Sequence, residues 1–173
     1  MFFKSADNLA KIVLKCFFIC IFFIISPFSN ATEKKNDWDI KANTVSGQTI
    51  FFHAWGGAKN INSYIKWASD EVKKRYNITV KHVKVTDTAN VVARILSEKN
   101  VKKDNNGAVD LLWINGENFS VMKKNNMLFS ENWIRDLPNS KYLDFENNPS
   151  LLNDFGVPTE GMEMPWGVSQ LNF

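Results

Sequence analysis

The chain has 173 residues, with 21 Lys and Arg against 18 Asp and Glu and a formal net charge of +3. That length supplies one respectable core, and a charge this close to balance, with no basic cluster, argues against nucleic acid as a partner. Both cysteines, Cys16 and Cys20, fall in one apolar run near the start, so the rest of the chain has no thiol for a disulfide, a thiolate metal site or a cysteine nucleophile.

Lys4, Lys11 and Lys15 flank residues 16–25 (CFFICIFFII), and Ser26, Pro27 and the tripeptide Ser29-Asn30-Ala31 follow. A basic flank, an apolar stretch and small residues where a signal peptidase reads form the pattern of a cleavable secretory signal. A membrane-spanning helix needs ~20 apolar residues, and this run is half as long and ends on a helix breaker. A lipoprotein signal would need a cysteine at the cleavage point, where none stands. Cleavage after Ala31 is therefore expected to export the chain and to leave 142 residues with 18 basic and 17 acidic side chains. Residues 32–46 are polar and charged, a flexible leader, and residues 47–173 form the folded domain.

Residues 48–55 are apolar and rich in β-formers (Ile50, Phe51, Phe52), the continuous pattern of a strand buried on both faces. From Asn60 the period changes: Ile61, Tyr64, Ile65, Ala68 and Val72 make one helical stripe. Asp70 to Lys74 and Glu71 to Arg75 are spaced for ion pairs on the wet face, and Asn77 is placed for a left-handed stop. Residues 78–85 (ITVKHVKV) read as a second strand, whose Lys81 and Lys84 suit a sheet edge. Thr86-Asp87-Thr88 offers a cap for a second helix with a stripe of Ala89, Val92, Ala93 and Leu96. Residues 109–114 (VDLLWI) read as a third buried strand, and a helix over residues 117–126 turns Phe119 and Met122 inward. Beyond Phe129, prolines and polar residues predict loops and short turns, before strand pattern returns at residues 166–173. Ending within a strand pattern, the chain is expected to be truncated.

Alternating strand and helix is the signature of a parallel sheet, an α/β fold. Ligands of such sheets bind beyond the carboxyl ends of the strands. Here those ends are Trp55-Gly56-Gly57, Thr86-Asp87 and Asn115-Gly116-Glu117-Asn118. The first is the most telling: a strand that enters a helix through two glycines leaves backbone N–H groups at the positive end of the helix dipole, a seat for an anionic or polar group. Trp55 and Trp166 each adjoin a glycine at a strand boundary and could stack on a ligand, whereas Trp113 and Trp67 read as packing. Asp87, Asn115 and Glu117 are also ordinary helix caps and first-turn acids; their shared edge is what favours a binding role.

No catalytic constellation emerges. His53 and His82 sit in strands without metal-ligand spacing and read as core or sheet-face residues. Gly56-Gly57 lacks the remaining glycines of a dinucleotide fingerprint, and neither a phosphate-binding loop nor a nucleophile elbow occurs. No metal site and no cofactor is expected.

The segments FFHAWGGAKNINSYIKWASDEVKKRYNITVKHVKV, DLLWINGENFSVMKKNNMLF and VPTEGMEMPWGVSQLNF resemble the opening lobe of bacterial extracellular solute-binding proteins, family 1, which feed ABC importers. The WGG and WINGENF versions are similar to a periplasmic subgroup related to binding proteins for thiamine-like and polyamine-like solutes. The resemblance implies a periplasmic binding protein type II-like lobe, a parallel-dominated sheet flanked by helices, truncated before the second lobe. It implies a monomeric, non-enzymatic periplasmic protein whose partners are a small polar solute and an inner-membrane ABC permease, the solute being enclosed by closure of two lobes. Two other readings remain open: a secreted α/β hydrolase-like enzyme, for which Thr86, Asp87 and Glu117 are the candidates, and a small exported interaction protein.

Overall fold

The computed structural model of the chain describes residues 37–103 and 105–167. The expected signal, residues 1–31, and residues 168–173 of the expected last strand lie outside the described residues; Trp166 and Gly167, at its start, are not in a strand.

Of residues 32–46, read from sequence as a flexible leader, 32–36 lie outside the described residues and 37–46 contain helix α1 (Asp37–Thr44). The backbone N–H of Gly47 then donates to the Asn77 carbonyl at 2.9 Å, and Asn77 Nδ2 donates to Ser46 Oγ at 3.0 Å. The entry to the first strand is thereby tied to the exit of the following helix.

Strand β1 (Thr49–Trp55) leads to helix α2 (Lys59–Tyr76), strand β2 (Thr79–Val85), helix α3 (Thr88–Asn100), strand β3 (Leu111–Leu112) and helix α4 (Gly116–Lys124). Among the described residues β2, β1 and β3 form a three-stranded sheet in that order. Both pairings are parallel, running from Thr49↔Thr79 to Trp55↔Val85 on one side and through Phe52↔Leu111 and His53↔Leu112 on the other. Parallel neighbours need long crossovers, and α2 and α3 provide them. The order leaves β2 at an edge, as its lysines suggested. The α/β class therefore holds.

Third-strand pairing is shorter than the apolar run implied. Asp110 turns its carboxylate onto the Phe51 N–H at 2.8 Å, so a side chain takes a donor that the ladder would otherwise use. The Trp113 N–H still reaches the His53 carbonyl at 2.9 Å. β1 is likewise not buried throughout: His53 and Ala54 are, whereas Phe51 and Trp55 are exposed at 36% and 48%.

The helices follow their stripes with one rotation. Ile65 is the buried anchor of α2, while Tyr64 and Trp67, expected to pack inward, are half-exposed. Asp70 pairs backwards with Lys66 at 2.7 Å rather than forwards with Lys74, and Glu71 holds Arg75 at 2.9 Å. Asn77 ends α2 in the left-handed region (φ 57°), donating its N–H to the Lys73 carbonyl. On α3 Val92 is buried as expected, but its buried companion is Val91, while Ala89 and Ala93 face solvent. The larger β-branched chains remove more apolar area from water than two alanines would, so they win the inward face. Phe119 and Met122 of α4 are buried as expected.

Beyond α4 the chain makes 3-10 turns (Pro138–Tyr142, Pro149–Leu152) and a short antiparallel pair, β4 (Asn153–Asp154) with β5 (Val157–Pro158). Ile134 is 1% exposed and anchors this segment. Lys123 of α4 donates to the Pro158 carbonyl at 2.6 Å and pairs with Glu160 at 2.9 Å.

Phe119 is fully buried. Truncation to Ala should cost about 3–5 kcal/mol, the loss typical of a large aromatic removed from a core. Urea unfolding followed by circular dichroism would register this as a lower midpoint with an unchanged slope.

Candidate functional site

Because β1, β2 and β3 run parallel, their carboxyl ends lie along one edge of the sheet. The glycine turn after β1 is shaped by its neighbours. A Cβ on Gly57 would collide with the Trp55 indole, so the ring folds back over the turn. A Cβ on Gly56 would meet the carbons of Lys84 at 2.7–2.8 Å, so the lysine stem from β2 lies across the end of β1. Asn62, one turn into α2, donates Nδ2 to the Gly56 carbonyl at 2.8 Å and holds the turn against the helix.

Helix α2 opens at Ala58 with no side-chain cap and no acidic residue in its first turn. Its first N–H groups thus retain the positive potential of the dipole. Lys59 adds a charge of the same sign, where a stabilising sequence would place an acid.

The second and third turns differ from the first. Asp87 caps α3, accepting the Ala89 N–H at 2.9 Å, and Thr86 beside it is exposed. Asp87 is therefore structural here, whatever else passes nearby. At α4, Asn115 occupies the cap position but its side chain caps nothing. The Gly116 N–H donates instead to the carboxylate of Asp154, brought in by β4 from far along the chain. Gly116 has φ +53°, and the Phe155 ring stands 3.3 Å from where its Cβ would be, so a side chain there would be both strained and crowded. Glu117 is exposed and Asn118 half-buried. The α4 N-terminus, expected as an open neighbour of the first turn, is thus occupied by an acid of the same chain.

Asp154 has a consequence for Glu163. Burial and the neighbouring Asp154 carboxylate, in that order, push Glu163 up to about 7. Neither acid was marked by sequence spacing, since each becomes relevant only through the turn that returns the chain to α4.

Trp166, the last predicted site residue, joins an aromatic cluster. Its ring centroid lies 4.8 Å from Trp113, at the end of β3, and 5.3 Å from Tyr64 on α2, both edge-on; Tyr64 continues to Trp67 at 5.5 Å. Such tilted contacts are the favoured geometry for aromatic pairs. Trp113, expected in the core, is only partly buried and belongs to this cluster. Trp55 and Trp166 are each 48% exposed, so each keeps an open face.

The chain is similar to Protein YnjB of Escherichia coli, with 44% identity over 150 residues, which are 87% of this chain and 38% of that protein. The chain therefore spans less than two-fifths of that relative's length. No family model matches it, and no solved structure does. These findings overturn the expected membership of the family 1 extracellular solute-binding proteins: the likeness that emerges is to YnjB, a protein whose name states neither transport nor a ligand, and no model of that family recognises the chain.

Two outcomes follow from this geometry. Glu163 has a folded-state pKa raised above its unfolded value, so it leaves stability intact below about pH 4.5 and erodes it as pH rises toward 7. Glu163→Gln should be more stable than the parent at pH 8, by on the order of 1 kcal/mol once solvent screening of a half-buried group is allowed for, and nearly equal to it at pH 4. Melting curves at the two pH values read the difference. Gly57→Ala should displace the Trp55 ring, seen as a changed tryptophan emission with the far-ultraviolet spectrum preserved.

Proposed function

We propose that the chain is the sheet-bearing lobe, of periplasmic binding protein type II-like architecture, of an exported solute-binding protein. It captures a small polar solute at the carboxyl edge of its parallel sheet and presents it to an inner-membrane ABC permease. The observation that carries this reading is the first turn: Gly56-Gly57 leads into an α2 N-terminus without cap or acid, beside the open face of Trp55 and the stem of Lys84. Donors at a helix start and a half-exposed aromatic are what a site needs to hold a solute without transforming it. The basic flank, apolar run and small residues before position 32 support export through a cleavable signal. The protein acts as a monomer, without a cofactor, and performs no chemistry. Asp87 is committed to capping α3, which removes one of the acids that a hydrolytic reading would use.

Osmotic-shock fractionation of the tagged protein, followed by a thermal-shift screen of polar solutes on the purified material, tests the proposal. Periplasmic release is expected, with at least one solute raising the melting temperature. Trp166→Ala should weaken that solute about tenfold, the loss of one good aromatic contact. Retention in the cytoplasm would sink the reading, as would turnover of ester, phosphate or glycoside substrates.

A further inference from the structure

We propose that the groove between the first half of α2 and the edge strand β2 binds the negatively charged group, phosphate or carboxylate, of a small molecule. The groove is open to solvent with a volume of about 630 Å³, and Gly57, Lys59, Asn62, His82 and Lys84 line its end near the carboxyl edge of the sheet. That volume is within the range of small-molecule sites, ~300–1,000 Å³.

Charge is distributed unevenly along it. At the far end Lys66 and Asp70 neutralise each other at 2.7 Å. At the near end, among the described residues, Lys59 and Lys84 have no acidic partner. Both lysines line the groove, so an anion seated there would meet two positive charges and no competing acid at this end. The stem of Lys84 moreover lies across Gly56, where no side chain displaces it.

Polar atoms at the same end lack partners. Asn62 commits Nδ2 to the Gly56 carbonyl, and its Oδ1 is buried with no hydrogen bond among the described residues. A buried carbonyl oxygen left unpaired is costly, and because Asn62 lines the groove, a turn of its amide would bring the oxygen to a hydroxyl or amide of the bound molecule. His82 places Nε2 3.1 Å from the Ala54 carbonyl, which can only accept, so Nε2 is the donor and Nδ1 remains for a further contact. The first-turn N–H groups of α2 add a positive potential of the same sign. The site therefore combines two cations, one unpaired acceptor and one imidazole nitrogen, a set suited to an anion that also carries a donor.

The inference deepens the proposed solute-binding role by giving the solute a negative charge. The test is calorimetric titration of the purified chain with inorganic phosphate and, separately, with succinate, ionic strength being held constant with sodium chloride. Binding in the millimolar range is expected for at least one of them. Phosphate alone, succinate alone or both would each support the groove and assign the group that it prefers. Lys59→Gln and Lys84→Gln should each weaken binding about tenfold, the worth of one charge-assisted contact, whereas Lys66→Gln should change it less than about twofold. Circular dichroism of each variant should match the parent. Absence of binding by both probes would overturn the inference, as would a loss in Lys66→Gln equal to that in Lys84→Gln. A periplasmic protein that answers a neutral or cationic solute but neither probe overturns the anion groove alone; cytoplasmic retention with phosphate binding intact overturns the transport role alone.

Discussion

The register that sets Thr49 beside Thr79 and Trp55 beside Val85 fixes β1 against β2, and the Phe52↔Leu111 pairing fixes β1 against β3. Side chains alternate across a strand, so a slip of one residue would send His53 to the opposite face and carry Lys84 away from Gly56. The parallel direction then brings three strand ends, and three helix beginnings, to one edge. Every feature of the candidate site descends from that pairing.

The helix beginnings are electrostatically unequal. Asp87 covers the start of α3 and Asp154 that of α4, each carboxylate accepting a backbone N–H. An acid at that position is the stabilising arrangement. Helix α2 lacks it and carries Lys59 in its first turn, with Lys84 close by. The omission lowers the stability of the helix start on its own, and the 18 residues of α2, anchored through Ile65, tolerate it. Two starts are thus closed by the chain itself and one is left for something else. Glu163 is driven toward its neutral form first by burial and second by the Asp154 carboxylate that closes α4.

Much of the fold was legible because it depends on local chemistry. Period gave α2, the Thr86-Asp87-Thr88 run gave the cap of α3, and Asn77 gave the left-handed stop; Phe119 and Met122 were recognisable as inward residues. What escaped was non-local. The Asp110 carboxylate shortens β3 by bonding a residue 59 positions away, and Asp154 reaches Gly116 across 38. No spacing rule announces such a contact, because its partners are brought together only once the sheet has formed. The inward face of α3 was found in part: Val92 is buried as expected, but Val91 beside it takes the place expected of Ala89 and Ala93, because the bulkier side chain removes more apolar area from water. Of the residues in the proposed site, Trp55, Gly56 and Gly57 were singled out from sequence, whereas Lys84 was read as a guard of the sheet edge and Lys59 was not singled out.

The role of the glycines changes accordingly. Read along the chain, Gly56-Gly57 provides backbone N–H groups for a ligand. In the folded chain the two glycines first make room: one lets Lys84 lie across the end of β1, the other lets the Trp55 ring fold over the turn. The turn therefore borrows its charge from the neighbouring strand and its apolar cover from its own. A backbone seat alone would be a weak, general attraction for any anion in water, screened within about 10 Å at moderate ionic strength. With a lysine stem lying across it and an unpaired Asn62 oxygen nearby, the proposed site would favour a partner with defined positions for its charge and for a donor. In the proposed site, selectivity would rest on the absence of side chains at residues 56 and 57 as much as on the presence of those around them.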